Sequence, residues 1–194
     1  MKAFATAGLA IILLSAQTAT AGKLDVAYSS MERIIVTTFL TEGGRRYLQG
    51  GPDDDCAYAF IQQPRVSAVG GRLQMTFLFA GRAGKEIAGK CVGAGDNFDI
   101  TVSGVPRYED GEFLLDEPRF ESEHTMFDVF SLLIESQLAP LLRIRARPHV
   151  ESYVYELTSR GAGVVQLESL EITSIELGPT SAAIGADFSI SVRP

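Results

Sequence analysis

The chain of 194 residues has no tryptophan, only two cysteines and two histidines, and a shortage of positive charge, 17 Lys+Arg against 24 Asp+Glu. Each scarcity excludes a class of protein. A formal net charge of −7 offers no general attraction to a phosphate backbone, so nucleic acid is not an expected partner. His124 and His149 stand too far apart for a His-Glu-x-x-His or His-x-His ligand pair. Two cysteines cannot support a disulfide-dense miniprotein, and their spacing suits neither a Cys-x-x-Cys redox centre nor a zinc knuckle. No uncharged apolar run reaches the roughly 20 residues that span a bilayer, so no membrane anchor is expected. What remains is ordinary: 46% apolar residues, enough for the core of a single domain.

The first residues read as a leader. Met1-Lys2 supplies a short positive start, Leu9 to Leu14 an apolar core, and Ala19-Thr20-Ala21 a small-x-small cleavage pattern. These are the three parts of a secretory signal peptide, predicting cleavage after Ala21, a periplasmic or secreted location, and one domain over residues 22–194. No cysteine follows the apolar core to be lipidated. In an oxidising compartment Cys56 and Cys91 most simply form one disulfide, with two buried thiols as the alternative.

Period-2 alternation marks strands with one buried face. It covers Leu73, Met75, Phe77 and Phe79; then Phe98, Ile100 and Val102; then Ala182, Ile184, Ala186, Phe188, Ile190 and Val192. Gly70-Gly71, Glu109-Asp110-Gly111 and Gly178-Pro179-Thr180 supply turns, predicting an antiparallel meander. Ile34 to Leu40 reads as a further strand from its β-branched run, although Tyr28, Met31 and Ile35 have helical spacing. Phe127, Phe130, Ile134, Leu138, Leu141 and Leu142 recur at helical spacing, predicting one long helix from about 125 to 157, bent or broken at Pro140 and Pro148.

This order of elements resembles the tubular lipid-binding superfamily, which includes bactericidal/permeability-increasing protein and small bacterial envelope members. The closest likeness is the hairpin from Phe98 to Phe120, where a strand ends in Gly104-Val105-Pro106 and an acidic turn leads into a second strand. The apolar stretch from Leu138 to Leu157 is similar to that family's amphipathic helix, and Val165 to Val192 to its closing strands. The resemblance implies an α+β fold, a highly curved antiparallel sheet wrapped around one long kinked amphipathic helix, with an apolar groove for acyl chains.

Signatures of catalysis are missing. Ser103 lacks the first glycine of a Gly-x-Ser-x-Gly elbow, and Asp53-Asp54-Asp55 lacks the spacing of an EF-hand loop. Gly93-Ala94-Gly95 and Gly161-Ala162-Gly163 do not complete a dinucleotide fingerprint. The expected function is non-catalytic and needs no cofactor or metal. A fatty acid, phospholipid or isoprenoid would lie against Phe127, Phe130, Ile134, Leu138, Leu141 and Leu142, with Ile184, Phe188 and Ile190 opposite. Arg143 and Arg147, one helical turn apart, would meet its headgroup. The alternative is a structural or scaffold domain with a filled core that binds another envelope protein.

Overall fold

Gly70-Gly71, Ala88-Gly89 and Asp110-Gly111 have positive φ at both positions, the requirement of a type I′ hairpin turn. In Ala88-Gly89 and Asp110-Gly111 the second position is a glycine, which adopts this conformation without steric cost. These three turns set out most of the chain as long antiparallel hairpins. The computed structural model describes residues 18–145 and 164–193. The elements are β1 (Thr18–Ala27), α1 (Tyr28–Thr38), β2 (Arg45–Gln49), β3 (Ala57–Val69), β4 (Arg72–Ile87), β5 (Lys90–Glu109), β6 (Glu112–Glu121) and α2 (Phe127–Leu138). A 3-10 turn (Ala139–Leu142), β7 (Arg143–Arg145), β8 (Val164–Leu177) and β9 (Ser181–Arg193) complete the described chain.

Two antiparallel sheets result, a six-stranded one ordered β2-β3-β4-β5-β6-β7 and a three-stranded one ordered β1-β9-β8. The apolar side of the larger sheet carries Ile61, Phe77, Phe79, Phe98, Ile100 and Val102, all buried. Both helices add to the same cluster, α1 through Tyr28 and Ile35 and α2 through Phe130, Ile134 and Leu138. At its centre the Phe79 ring lies 4.9 Å from Phe98 and 5.0 Å from Phe130, centroid to centroid. β2 pairs with β3 no further than Gln62, and beyond it the Val66 N–H donates to the Glu32 carboxylate on α1 at 2.8 Å.

The expected long helix is not there. The chain is mostly β, with two short helices, and the larger sheet curls over them; it does not wrap around one kinked helix. The stripe from Phe127 to Leu138 is helical, but Pro140 lacks the N–H that would continue it, and the chain tightens into a 3-10 turn. Arg143-Ile144-Arg145 then pairs with β6, Ile144 opposite Phe113, so this alternation is that of an edge strand. The rest of the expected helix, residues 146–157, lies outside the described residues, as do Arg147 and His149.

A second correction concerns Ile34 to Leu40, which is largely helix α1 and not a strand. Among Ile34, Ile35 and Val36 only Ile35 is buried, so the seven-residue spacing from Tyr28 to Ile35 decides the conformation over β-branching. No helix among the described residues is long and apolar enough to cross a membrane.

Tyr28 joins the smaller sheet to the core. Its N–H donates to the Thr180 carbonyl at 3.0 Å and its hydroxyl to the Gly178 carbonyl at 2.7 Å, both in the β8–β9 turn. Burial holds its phenol above the ordinary range, because desolvation disfavours the phenolate. Tyr28→Phe keeps the ring but leaves the Gly178 carbonyl without that donor. A loss of about 1–2 kcal/mol is expected in a urea titration. The contribution from the raised phenol pKa is full at neutral pH and is lost only as pH rises through the phenol's titration. The wild type is therefore expected to lose its advantage over Tyr28→Phe in strong alkali.

Candidate functional site

The residues proposed from the sequence separate into two places. Phe130, Ile134, Leu138 and Leu142 are buried in the core, Ile134 with 0% of its surface exposed, and Phe127 packs partly buried against them. Leu141 falls in the 3-10 turn. Ile184 and Phe188, by contrast, are half-buried on β9 and lie outside that core cluster. Ile190 continues the same strand. Arg143 is exposed on β7, and its neighbour Arg145 sits 3.4 Å from the Glu112 carboxylate.

Ile184 and Phe188 belong to an apolar face that runs across all three strands of the smaller sheet. Register places Ile184 between Leu24 on β1 and Ile175 on β8, Ala186 opposite Ile172, and Phe188 opposite Leu170. The apolar residues of β8 recur at spacings of three, two, three and two: Leu167, Leu170, Ile172, Ile175, Leu177. Each three-residue step coincides with a β-bulge, between Leu167 and Ser169 and between Ile172 and Ser174. The extra residue resets the alternation, so every one of these side chains lands on one face.

One end of this face, at Leu177 and Ala182, is continuous with the core. Leu167 is also buried, but the stretch between is only half shielded: Leu24 is 55% exposed, while Leu170, Ile172, Ile175, Ile184 and Phe188 are half-buried. The opposite face is polar, and there Lys23 and Glu176 reach across β9 to form an ion pair at 2.9 Å. Their hydrogen bond holds the Glu176 carboxyl below its usual range and raises the Lys23 ammonium. Leu24 was not among the residues proposed from the sequence. The alternation Gly22, Leu24, Val26, opposite in kind to Lys23 and Asp25, is the signal that identifies it.

Groups that carry chemistry are engaged structurally. His124 Nε2 stands 3.4 Å from Asp96 Oδ2, and Nδ1 accepts the Met126 N–H at 3.3 Å. The imidazole also stacks on Phe98 with centroids 4.8 Å apart. Both ring nitrogens thus have partners at the entrance to α2. Ser103 is buried in the sheet, and Asp54 accepts the Gly51 N–H at 2.7 Å within its own turn. Among the described residues no three His, Cys, Asp or Glu side chains gather where they could hold a metal ion.

Cys56 and Cys91 form a disulfide with Cα atoms 5.3 Å apart. It joins the start of β3 to the start of β5, although β4 lies between these strands in the sheet. The bridge passes over Gly84 of β4. A Cβ there would meet the Cys91 sulfur at 2.8 Å, the Cys56 sulfur at 3.0 Å and the Cys56 carbonyl oxygen at 2.6 Å. Only the absence of a side chain permits the crossing.

No family model, no curated protein and no solved structure matches the chain.

Proposed function

We propose that this domain is a non-catalytic binding module of the cell envelope that takes the apolar part of an amphipathic ligand against the face of the β1-β9-β8 sheet. The observation that carries this reading is the uninterrupted apolar surface from Leu24 through Ile184 to Ile175, continuous with the core and only half shielded. Covering such a surface releases water from it, and each methylene of an acyl chain withdrawn from water adds about 0.8 kcal/mol before the costs of association. Because the α2 stripe is already packed as core, a ligand would lie on the sheet and not along the helix. Fatty acids, phospholipids and isoprenoids are the ligand classes with suitable apolar parts.

The test is native mass spectrometry of the mature protein, purified from its own envelope without detergent, followed by organic extraction. A reproducible added mass that extraction identifies as lipid is expected. Leu24→Asp should remove that mass with the disulfide and the thermal midpoint retained, since Leu24 is largely exposed. A protein that carries no lipid and binds none from added vesicles would overturn the lipid reading.

A second reading has its own support. The complete burial of Ile134 and Phe79 marks a filled core, as expected of a scaffold domain that docks another envelope protein. Under that reading the protein is isolated without lipid, and Leu24→Asp abolishes co-purification of a defined partner.

A further inference from the structure

We infer that the outer side of the β4–β5 hairpin holds a binding site for a small oxyanion, a carboxylate or a phosphate, gripped by Arg82 with Tyr58 and Asn97 beside it. An open cleft of about 600 Å³ lies there, and these three residues line it together with Ala80, Gly93 and Gly95. Register sets Tyr58, Arg82 and Gly95 side by side on β3, β4 and β5, with Ala80 opposite Asn97 one step along. Strand alternation turns all six away from the side that carries Phe79 and Phe98. The result is a floor of alanine and glycine bounded by a guanidinium, a phenol and an amide, all able to donate hydrogen bonds.

Among the described arginines, Arg72 and Arg82 have a buried Nε without a hydrogen-bond acceptor, and of the two Arg82 has no other side-chain partner. Arg65, Arg107 and Arg145 each face a carboxylate, those of Asp99, Asp116 and Glu112. Arg45 bonds Gln62 and lies over the Phe60 ring at 4.6 Å. Arg72 also has a buried, unbonded Nε, yet its Nη2 donates to the carbonyls of Ser103 at 3.3 Å and Glu117 at 2.6 Å. Arg82 Nε is shut away from water without any hydrogen-bond acceptor, beside a cleft whose one acidic lining residue is Asp96. Asp96 contributes to the lining, but its carboxylate is spent on His124 and on the Asn97 N–H at 2.8 Å. A planar fork of donors in want of acceptors is the arrangement that binds carboxylate or phosphate oxygens.

Glycine at position 95 is part of the device. A Cβ there would stand 3.1 Å from both Cβ and Cγ of Arg82 and 2.9 Å from the Gly81 carbonyl oxygen. The stem of Arg82 thus lies across β5 in the space a side chain would fill.

The probe is inorganic phosphate, titrated into the uniformly ¹⁵N-labelled oxidised protein at fixed ionic strength, with acetate in a parallel series. Saturable shifts of the Gly93 and Gly95 amides and of the Arg82 Nε–H are expected. Saturation by phosphate alone assigns a phosphate-bearing ligand, saturation by acetate alone a carboxylate, and saturation by both a general oxyanion site. Arg82→Gln should weaken binding at least tenfold, and Arg82→Lys, which keeps the charge but loses the fork, by less. Tyr58→Phe should weaken it a few-fold. Absence of saturation with either anion, or equal affinity in a folded Arg82→Gln protein, overturns the inference. Should Arg82→Gln fail to fold, the Tyr58→Phe and Arg82→Lys titrations decide in its place.

Discussion

Leu138→Arg is expected to unfold the domain. Leu138 is 2% exposed at the end of α2, inside the cluster that also holds Ile134 and Phe130. Deleting a buried leucine side chain costs about 2–5 kcal/mol, and a guanidinium in its place must be desolvated without a partner. Together these losses match or exceed the 5–15 kcal/mol by which a domain of this kind is stable. The variant should give insoluble protein, or a collapsed state without a cooperative thermal transition. Leu132→Arg on the same helix is the control: Leu132 is 82% exposed, and its replacement should move stability by no more than about 0.5 kcal/mol. A folded Leu138→Arg protein with a wild-type midpoint would show that α2 does not pack where it is described.

The second large effect belongs to Gly84→Ala. One methyl group placed 2.6 Å from the Cys56 carbonyl and 2.8 Å from the Cys91 sulfur cannot coexist with the crossing bridge. Either the disulfide fails to close or the sheet is displaced beneath it. Losing a cross-link between residues separated by 35 positions costs about 4 kcal/mol in the chain-entropy model. The thermal midpoint should therefore drop by on the order of 10 °C. Thiol titration of the denatured protein checks the cause directly, with free thiols appearing in Gly84→Ala and none in the wild type. A Cys56→Ser, Cys91→Ser double variant sets the scale. Full oxidation of Gly84→Ala with an unchanged midpoint would refute the assigned path of the bridge.

The centre of the larger sheet was legible because its signals are local. Leu73 to Phe79 and Phe98 to Val102 alternate with period two, and Gly70-Gly71 and Asp110-Gly111 carry the turn chemistry between strands. The apolar stripe of α2 was equally plain. Its extension beyond Pro140 was not, because Leu141, Leu142 and Ile144 can continue a helical stripe or begin an alternating strand, and only pairing with β6 selects the strand. The β8 pattern of three, two, three, two resembles neither simple period, and two bulges are needed to make it one face. Arg82 stands in an unremarkable Ala-Gly-Arg-Ala-Gly segment. Its lack of an acceptor is a property of three strands brought together, and no single segment could announce it.

The smaller sheet also fixes an order of events. Each contact within the β3–β6 meander joins residues brought together by a short turn, whereas β1 must find β9, with Thr18 opposite Ile190 and Ala27 opposite Ser181. Closing so long a loop is slow compared with zipping a hairpin, so the six-stranded sheet should form first and β1 dock last. In a chain exported as the leader-like start suggests, the β1–β9 pairing would have to wait until nearly the whole chain had emerged. The expected cleavage after Ala21 falls within β1, so the peptidase would act while Thr18–Ala21 is still unpaired. Removal of the leader and docking of the first strand would then compete for the same few residues, making the speed of the last folding step a determinant of which N-terminus the mature protein carries.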